Sequence, residues 1–151
     1  MLLAICLFSL DGCSSEKKIT ESEALDVFNK IDIATKNKDV DAIVAFISEK
    51  AEIKAIVTAA GQTQTLTFNR DQYRDFIKKA FAVGSNYTYS RQNTQVKISP
   101  DGKSAIVTDE VTESITVNGQ VINTVATGVA SLKRENGKLV ILYLEVDGKQ
   151  V

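Results

Sequence analysis

The sequence contains no histidine. A histidine general base, a histidine-rich metal site and a Ser-His-Asp triad are therefore excluded within this chain. Proline occurs once, at Pro100 inside a turn, so no proline-rich linker divides the chain. An excess of one charge is also lacking. The 18 Lys and Arg face 19 Asp and Glu, a net of −1, which leaves no global field to recruit nucleic acid. No cluster has metal-ligand spacing and no glycine-rich phosphate loop appears, so no metal and no cofactor is expected. What remains is 151 residues of ordinary globular composition, enough for one domain with a sizeable core.

Cysteine is nearly absent too, and both copies, Cys6 and Cys13, lie near the start. Leu2 to Leu10 is an apolar run, too short to span a bilayer but of signal-peptide length. It leads into Leu10-Asp11-Gly12-Cys13 and then the polar Ser14-Ser15-Glu16-Lys17-Lys18. An aliphatic residue three before a cysteine, with a small residue just before it, resembles a bacterial lipoprotein signal. The resemblance implies cleavage after Gly12 and a diacylglycerol on Cys13. Residues 1–12 are then a signal peptide, 13–18 the lipidated cysteine and its tether, and 19–151 the domain. The expected location is the bacterial cell envelope, outside the cytoplasm, with the lipid on Cys13 as the membrane anchor. The competing reading makes Met1–Leu10 a buried helix and Cys13 an idle thiol.

Within the domain, Thr20 and Glu23 fit a capping box, followed by Ala24, Leu25, Phe28, Ile31 and Thr35 at helical spacing. Asp39 or Asp41 can cap a second, shorter helix running through Ile47. Glu52–Val57 and Thr63–Phe68 read as strands around Ala60-Gly61-Gln62. Asn69 with Gln72 opens a third helix with Tyr73, Phe76, Ile77, Ala80 and Phe81 on one stripe, and Gly84 is placed for a left-handed stop. From Asn86 to Val146, runs rich in Val, Ile, Thr and Tyr are separated by Pro100-Asp101-Gly102, Asn118-Gly119 and Asn136-Gly137. Asn-Gly and Asp-Gly suit the positive φ of tight hairpins, so this is an antiparallel meander.

Helix, helix, hairpin, helix and four long strands make an α+β protein. In that order of elements, and in the Lys38–Phe46 helix start and the Asn69–Phe81 helix, the chain resembles the NTF2-like superfamily, also called cystatin-like or SnoaL-like. The resemblance implies a cone, with about three helices packed on a curved, mainly antiparallel sheet of about six strands. It also implies a pocket between the helices and the concave sheet. Some members are isomerases, dehydratases or cyclases, and many others only bind or assemble.

Between its flanking turns, Ala105, Val107, Asp109, Val111, Glu113, Ile115 and Val117 share a strand face. The apolar majority turns that face inward and takes two carboxylates with it. A buried carboxylate must be paired, hydrogen-bonded or protonated, which makes Asp109 the candidate for a shifted acid. Tyr87, Tyr89 and Arg91 share the face of a neighbouring strand, Tyr143 and Glu145 share another, and Tyr73 lies on the helix expected to roof the pocket. Tyr73, Tyr87, Tyr89, Arg91, Asp109, Glu113 and Tyr143 are thus the candidate ligand-binding residues, with Asp109 pairing Arg91. The isomerase set of one tyrosine and two acids finds no residue-by-residue match here, and the superfamily's Asp–His dyads are excluded by the missing histidine. These residues favour a non-catalytic domain that binds a small apolar ligand or a protein partner. The sheet face is expected to support a homodimer through a flat patch at Ala126 and Gly128. The alternative is an isomerase- or dehydratase-type enzyme using Asp109 as acid/base, with Tyr87, Tyr89 or Tyr143 as donors. A third reading is a cell-envelope assembly or immunity-type protein whose pocket is filled by side chains.

Overall fold

The computed structural model describes residues 16–151. The signal-like segment and Cys13 lie outside the described residues. Helix α1 (Glu21–Lys36) opens on the expected capping box: the Glu23 amide donates to Thr20 Oγ1 at 3.2 Å and the Thr20 amide to Glu23 Oε2 at 3.1 Å. Asp39 caps the short α2 (Val40–Val44) through the Ala42 amide. That helix ends at Val44 instead of running through Ile47, because Ile47 already belongs to strand β1 (Ile47–Ala59) and pairs with Ile141. Strand β2 (Gln62–Phe68) returns antiparallel. Helix α3 (Arg70–Val83) begins at the reciprocal Asn69–Gln72 cap, both bonds 2.9 Å.

Gly84 does not stop α3 in the left-handed region. Its φ is −106°, and the positive φ falls on Asn86 at 50°. Glycine is needed there for room, since a Cβ would run into the Ile115 side chain. Strands β3 (Ser85–Ile98), β4 (Ser104–Val117), β5 (Gln120–Glu135) and β6 (Lys138–Gln150) then form the meander. Asn118-Gly119 and Asn136-Gly137 take positive φ at both positions, as two-residue hairpins require.

The sheet order is β2-β1-β6-β5-β4-β3, antiparallel everywhere except between β1 and β6, which run parallel. Register shifts at Ser85/Thr88 and Gln92/Gln95 in β3 accompany left-handed Asn86 and Asn93. Such bulges bend and twist a strand, and they wrap this edge toward the helices. Under α1 the core is solid: Ala24, Phe28, Ala105, Val107, Ala130, Leu132 and Ile141 are buried together. Arg134 pins the segment ahead of α1 to the sheet, donating to the Lys17 carbonyl at 2.9 Å and to Glu23 at 2.7 Å. Ala126 and Gly128 are not an outer patch, because the alternation of β5 turns both inward to line the cavity. The exposed large apolar residues of β5 are Val121, Val125 and Val129.

Candidate functional site

Beyond the solid core, α3 stands away from the sheet and leaves a cavity of about 380 Å³. Its floor is the inner face of β4 and β5, and its roof is Tyr73, Phe76, Ile77 and Phe81 of α3. The pocket is therefore open rather than filled by side chains.

Asp109 sits where the solid core ends, 7% exposed. Its register partner on β5 is Gly128, and a Cβ there would strike Asp109 Oδ1. Glycine at that one position makes room for the carboxylate. Asp109 Oδ2 accepts from Arg91 Nη1, the expected pair. The same guanidinium donates through Nε to Asp32 Oδ1 at 2.8 Å and through Nη2 to the Tyr89 hydroxyl at 2.6 Å, while packing 4.7 Å from the centre of the Phe28 ring. Tyr89 in turn donates to Asp32 Oδ1 at 2.9 Å. Two carboxyl groups thus share one cation.

Burial pushes the Asp109 carboxyl up from its ordinary range; Arg91 opposes the rise and Asp32 reinforces it. Farther along the same face, Tyr87 donates to Glu113 Oε1 at 2.5 Å. Burial first, then the Glu113 charge, drives the Tyr87 hydroxyl far above its usual value, and burial does the same for Tyr89. The Tyr73 phenol is pushed up to about 12, again mainly by burial and next by Glu113. All three phenols are protonated donors at neutral pH.

Six of the seven candidates, Tyr73, Tyr87, Tyr89, Arg91, Asp109 and Glu113, come together around this cavity. Tyr143 does not. Leu144 and Val146 of β6 face the cavity, so Tyr143 and Glu145 point to the other side. There Tyr143 donates to Glu145 at 2.6 Å and Lys54 reaches the same carboxylate at 3.1 Å. Asp32 is the residue the sequence reading missed. A signal existed, because Asp32 lies four residues after Phe28 and three before Thr35, on the flank of the buried stripe. Among the described residues no group of His, Cys, Asp and Glu could hold a metal ion.

No known protein family matches the sequence, and no curated protein matches it either. Solved structures do. A putative scytalone dehydratase from Novosphingobium aromaticivorans superposes with a TM-score of 0.66 at 11% identity, over 84% of this chain and 82% of that one. Hexachlorocyclohexane dehydrochlorinase LinA-type3 from Novosphingobium barchaimii gives 0.66 at 12% identity, over 85% and 84%. A conserved protein from Planctomyces limnophilus gives 0.72 at 12% identity, over 87% and 97%. The expectation of a non-catalytic binding module is corrected here. Structures sharing this frame bear the names of a dehydratase and a dehydrochlorinase, and the acid of the enzymatic alternative, Asp109, lines an open cavity with two of its three tyrosines, Tyr87 and Tyr89. The order of elements, the curved six-stranded mixed sheet and these superpositions give the chain the NTF2-like fold.

Proposed function

We propose that this protein is an enzyme of the isomerase or dehydratase kind, which moves a proton at carbon in a small apolar substrate with Asp109 as the base. The observation that carries the reading is the placement of Asp109: a buried carboxylate with Oδ2 held by Arg91 and Oδ1 left room by Gly128, at the floor of an apolar cavity. A base with a raised pKa binds an abstracted proton more strongly than an exposed carboxylate does. In the step proposed, a substrate C–H bond breaks and its proton goes to Asp109 Oδ1. The electron pair forms a new π bond, either to a carbon whose carbonyl becomes an enolate or to a carbon that sheds its leaving group. Arg91 keeps the carboxylate fixed, and the apolar walls exclude the water that would level its basicity.

The test is proton exchange in heavy water. Cyclic ketones, hydroxyketones and chlorinated cyclohexanes would be incubated with the protein, and deuterium incorporation and product read by NMR. Substitution Asp109→Asn should lower the rate at least about a hundredfold, in the range lost when general-base catalysis is removed, while the circular dichroism spectrum stays that of the folded protein. Exchange at the same rate in the variant, or none above buffer with any compound, would sink the proposal. We further propose that the enzyme works outside the cytoplasm, tethered through Cys13; the support is the Leu10-to-Cys13 pattern alone. Radiolabelled palmitate should enter the full chain in a bacterial host and not its Cys13→Ser variant.

A further inference from the structure

Three tyrosines line the cavity, and they are not equivalent. The Tyr87 hydroxyl is spent on Glu113. The Tyr89 hydroxyl donates to Asp32 and accepts from Arg91. Among the described residues Tyr73 is the one cavity tyrosine whose hydroxyl has no hydrogen-bond partner, although its surroundings are apolar enough to raise its pKa to about 12. No fully buried side-chain polar atom among the described residues lacks a partner, so this hydroxyl is not sealed off and is open to a partner entering the cavity. Its ring is not loose. Phe68 stands 6.1 Å away, centroid to centroid, and itself packs 5.0 Å from Phe76. The hydroxyl is therefore carried on α3, across the cavity from the sheet that carries Asp109.

We propose that Tyr73 is the hydrogen-bond donor for an oxygen of the substrate, so that the ligand is an apolar molecule bearing a carbonyl or hydroxyl oxygen on the side turned toward α3. This rests on the reading of the cavity as a substrate site and assigns the donor role to Tyr73, not to Tyr87, Tyr89 or Tyr143. In proton abstraction beside a carbonyl, charge gathers on that oxygen, and a donor already in place stabilises it. The other phenols of the cavity and its two carboxylates are already engaged: Asp109 and Tyr89 on Arg91, which also holds Asp32, and Tyr87 on Glu113. A ligand oxygen meeting Tyr73 breaks none of those bonds.

The experiment compares two probes of nearly equal shape, 1-tetralone and tetralin, by titration into the wild type and Tyr73→Phe. The wild type should bind the ketone roughly fivefold more tightly, the equivalent of one net hydrogen bond of about 1 kcal/mol. The variant should lose that preference while keeping its tetralin affinity, which also shows that the cavity is intact. The carbonyl stretch of 13C-labelled 1-tetralone should move to lower frequency on the wild type and return toward its value in hydrocarbon on the variant. A preference that survives Tyr73→Phe, equal affinities for the two probes in the wild type, or no binding of either would overturn the proposal. Because the readout is binding, it is independent of proton exchange: loss of the preference alongside unchanged exchange in Asp109→Asn would leave Tyr73 as donor and reject Asp109 as base.

Discussion

Helices α1 and α3 both start at a capping box and both carry one apolar stripe, yet six residues of α1 are buried and none of α3 is. The same strands run beneath both. On β4, Ala105 and Val107 are sealed under α1, and Val111, Glu113 and Ile115 a few residues on line the cavity under α3. Local sequence chemistry therefore decides that a helix forms, whereas closeness of packing is set by what faces it across the sheet. The α1 half supplies stability. The α3 half gives up burial to keep a space, with Asp109 on the boundary between them.

That contrast can be broken most severely at the boundary. Substitution Arg91→Met should cost about 3–5 kcal/mol at neutral pH, since it strands Asp32 and Asp109 without their shared cation. Urea melts should show part of the loss recovered in acid, where the buried Asp109 carboxyl takes up a proton. In the solid half, Leu132→Ala should cost about 2–5 kcal/mol in the same melts, the range for a fully enclosed leucine. In the hollow half, Phe76→Ala, at a ring 40% exposed, should cost about 1 kcal/mol or less. Equal losses at Leu132 and Phe76 would erase the distinction. At the Ala60-Gly61 turn, alanine holds a φ of 50°. Ala60→Asn, which tolerates that region better, should raise stability by about 0.5 kcal/mol.

The smallest effect is one of pH. Because burial raises the Asp109 pKa in the folded protein, the folded state holds this proton more tightly than the unfolded chain. Its contribution is thus fully present below the ordinary carboxylate range and is lost as pH rises through the raised folded value. Asp109→Asn, measured against the wild type by melting temperature from acid to neutral pH, should therefore gain on it as pH rises. Glu145 and Asp101, whose carboxyls are lowered, act in the opposite direction but are present in both proteins and cancel from the difference. A flat difference would mean that Arg91 fully offsets the cost of burial.

Much of this frame was legible because it is written in short-range chemistry. The capping boxes at Thr20 and Asn69, the Asn-Gly turns and the two-residue period that aligns Asp109 with Glu113 each depend on neighbours a few positions apart. What escaped depends on distant contacts. The end of α2 was misplaced because Ile47 is claimed by Ile141. Gly84 does end α3, but it is glycine because Ile115 fills the space beside it and not because the chain turns left-handed there. Tyr143 was given the wrong side of the sheet, and Asp32, on the flank of α1, shows its role only once Arg91 arrives from β3. The cone and a pocket roofed by α3 were foreseen through resemblance; that the pocket is open and not filled by side chains was not something a pattern of residues could measure.

The parallel seam between β1 and β6 has a consequence in time. Hairpins of the meander can close as soon as their two strands exist, but β1 must wait for a partner that is made about ninety residues later, Ile53 for Leu144. Pairings so far apart in sequence are slow to nucleate, and a parallel seam has no tight turn to hold it in register. The cavity wall that this seam completes is therefore expected to form last, after the meander has folded. Until then the β1–β2 hairpin and α3 have no sheet to close against. A chain shortened before β6 should keep hairpins yet never enclose the site.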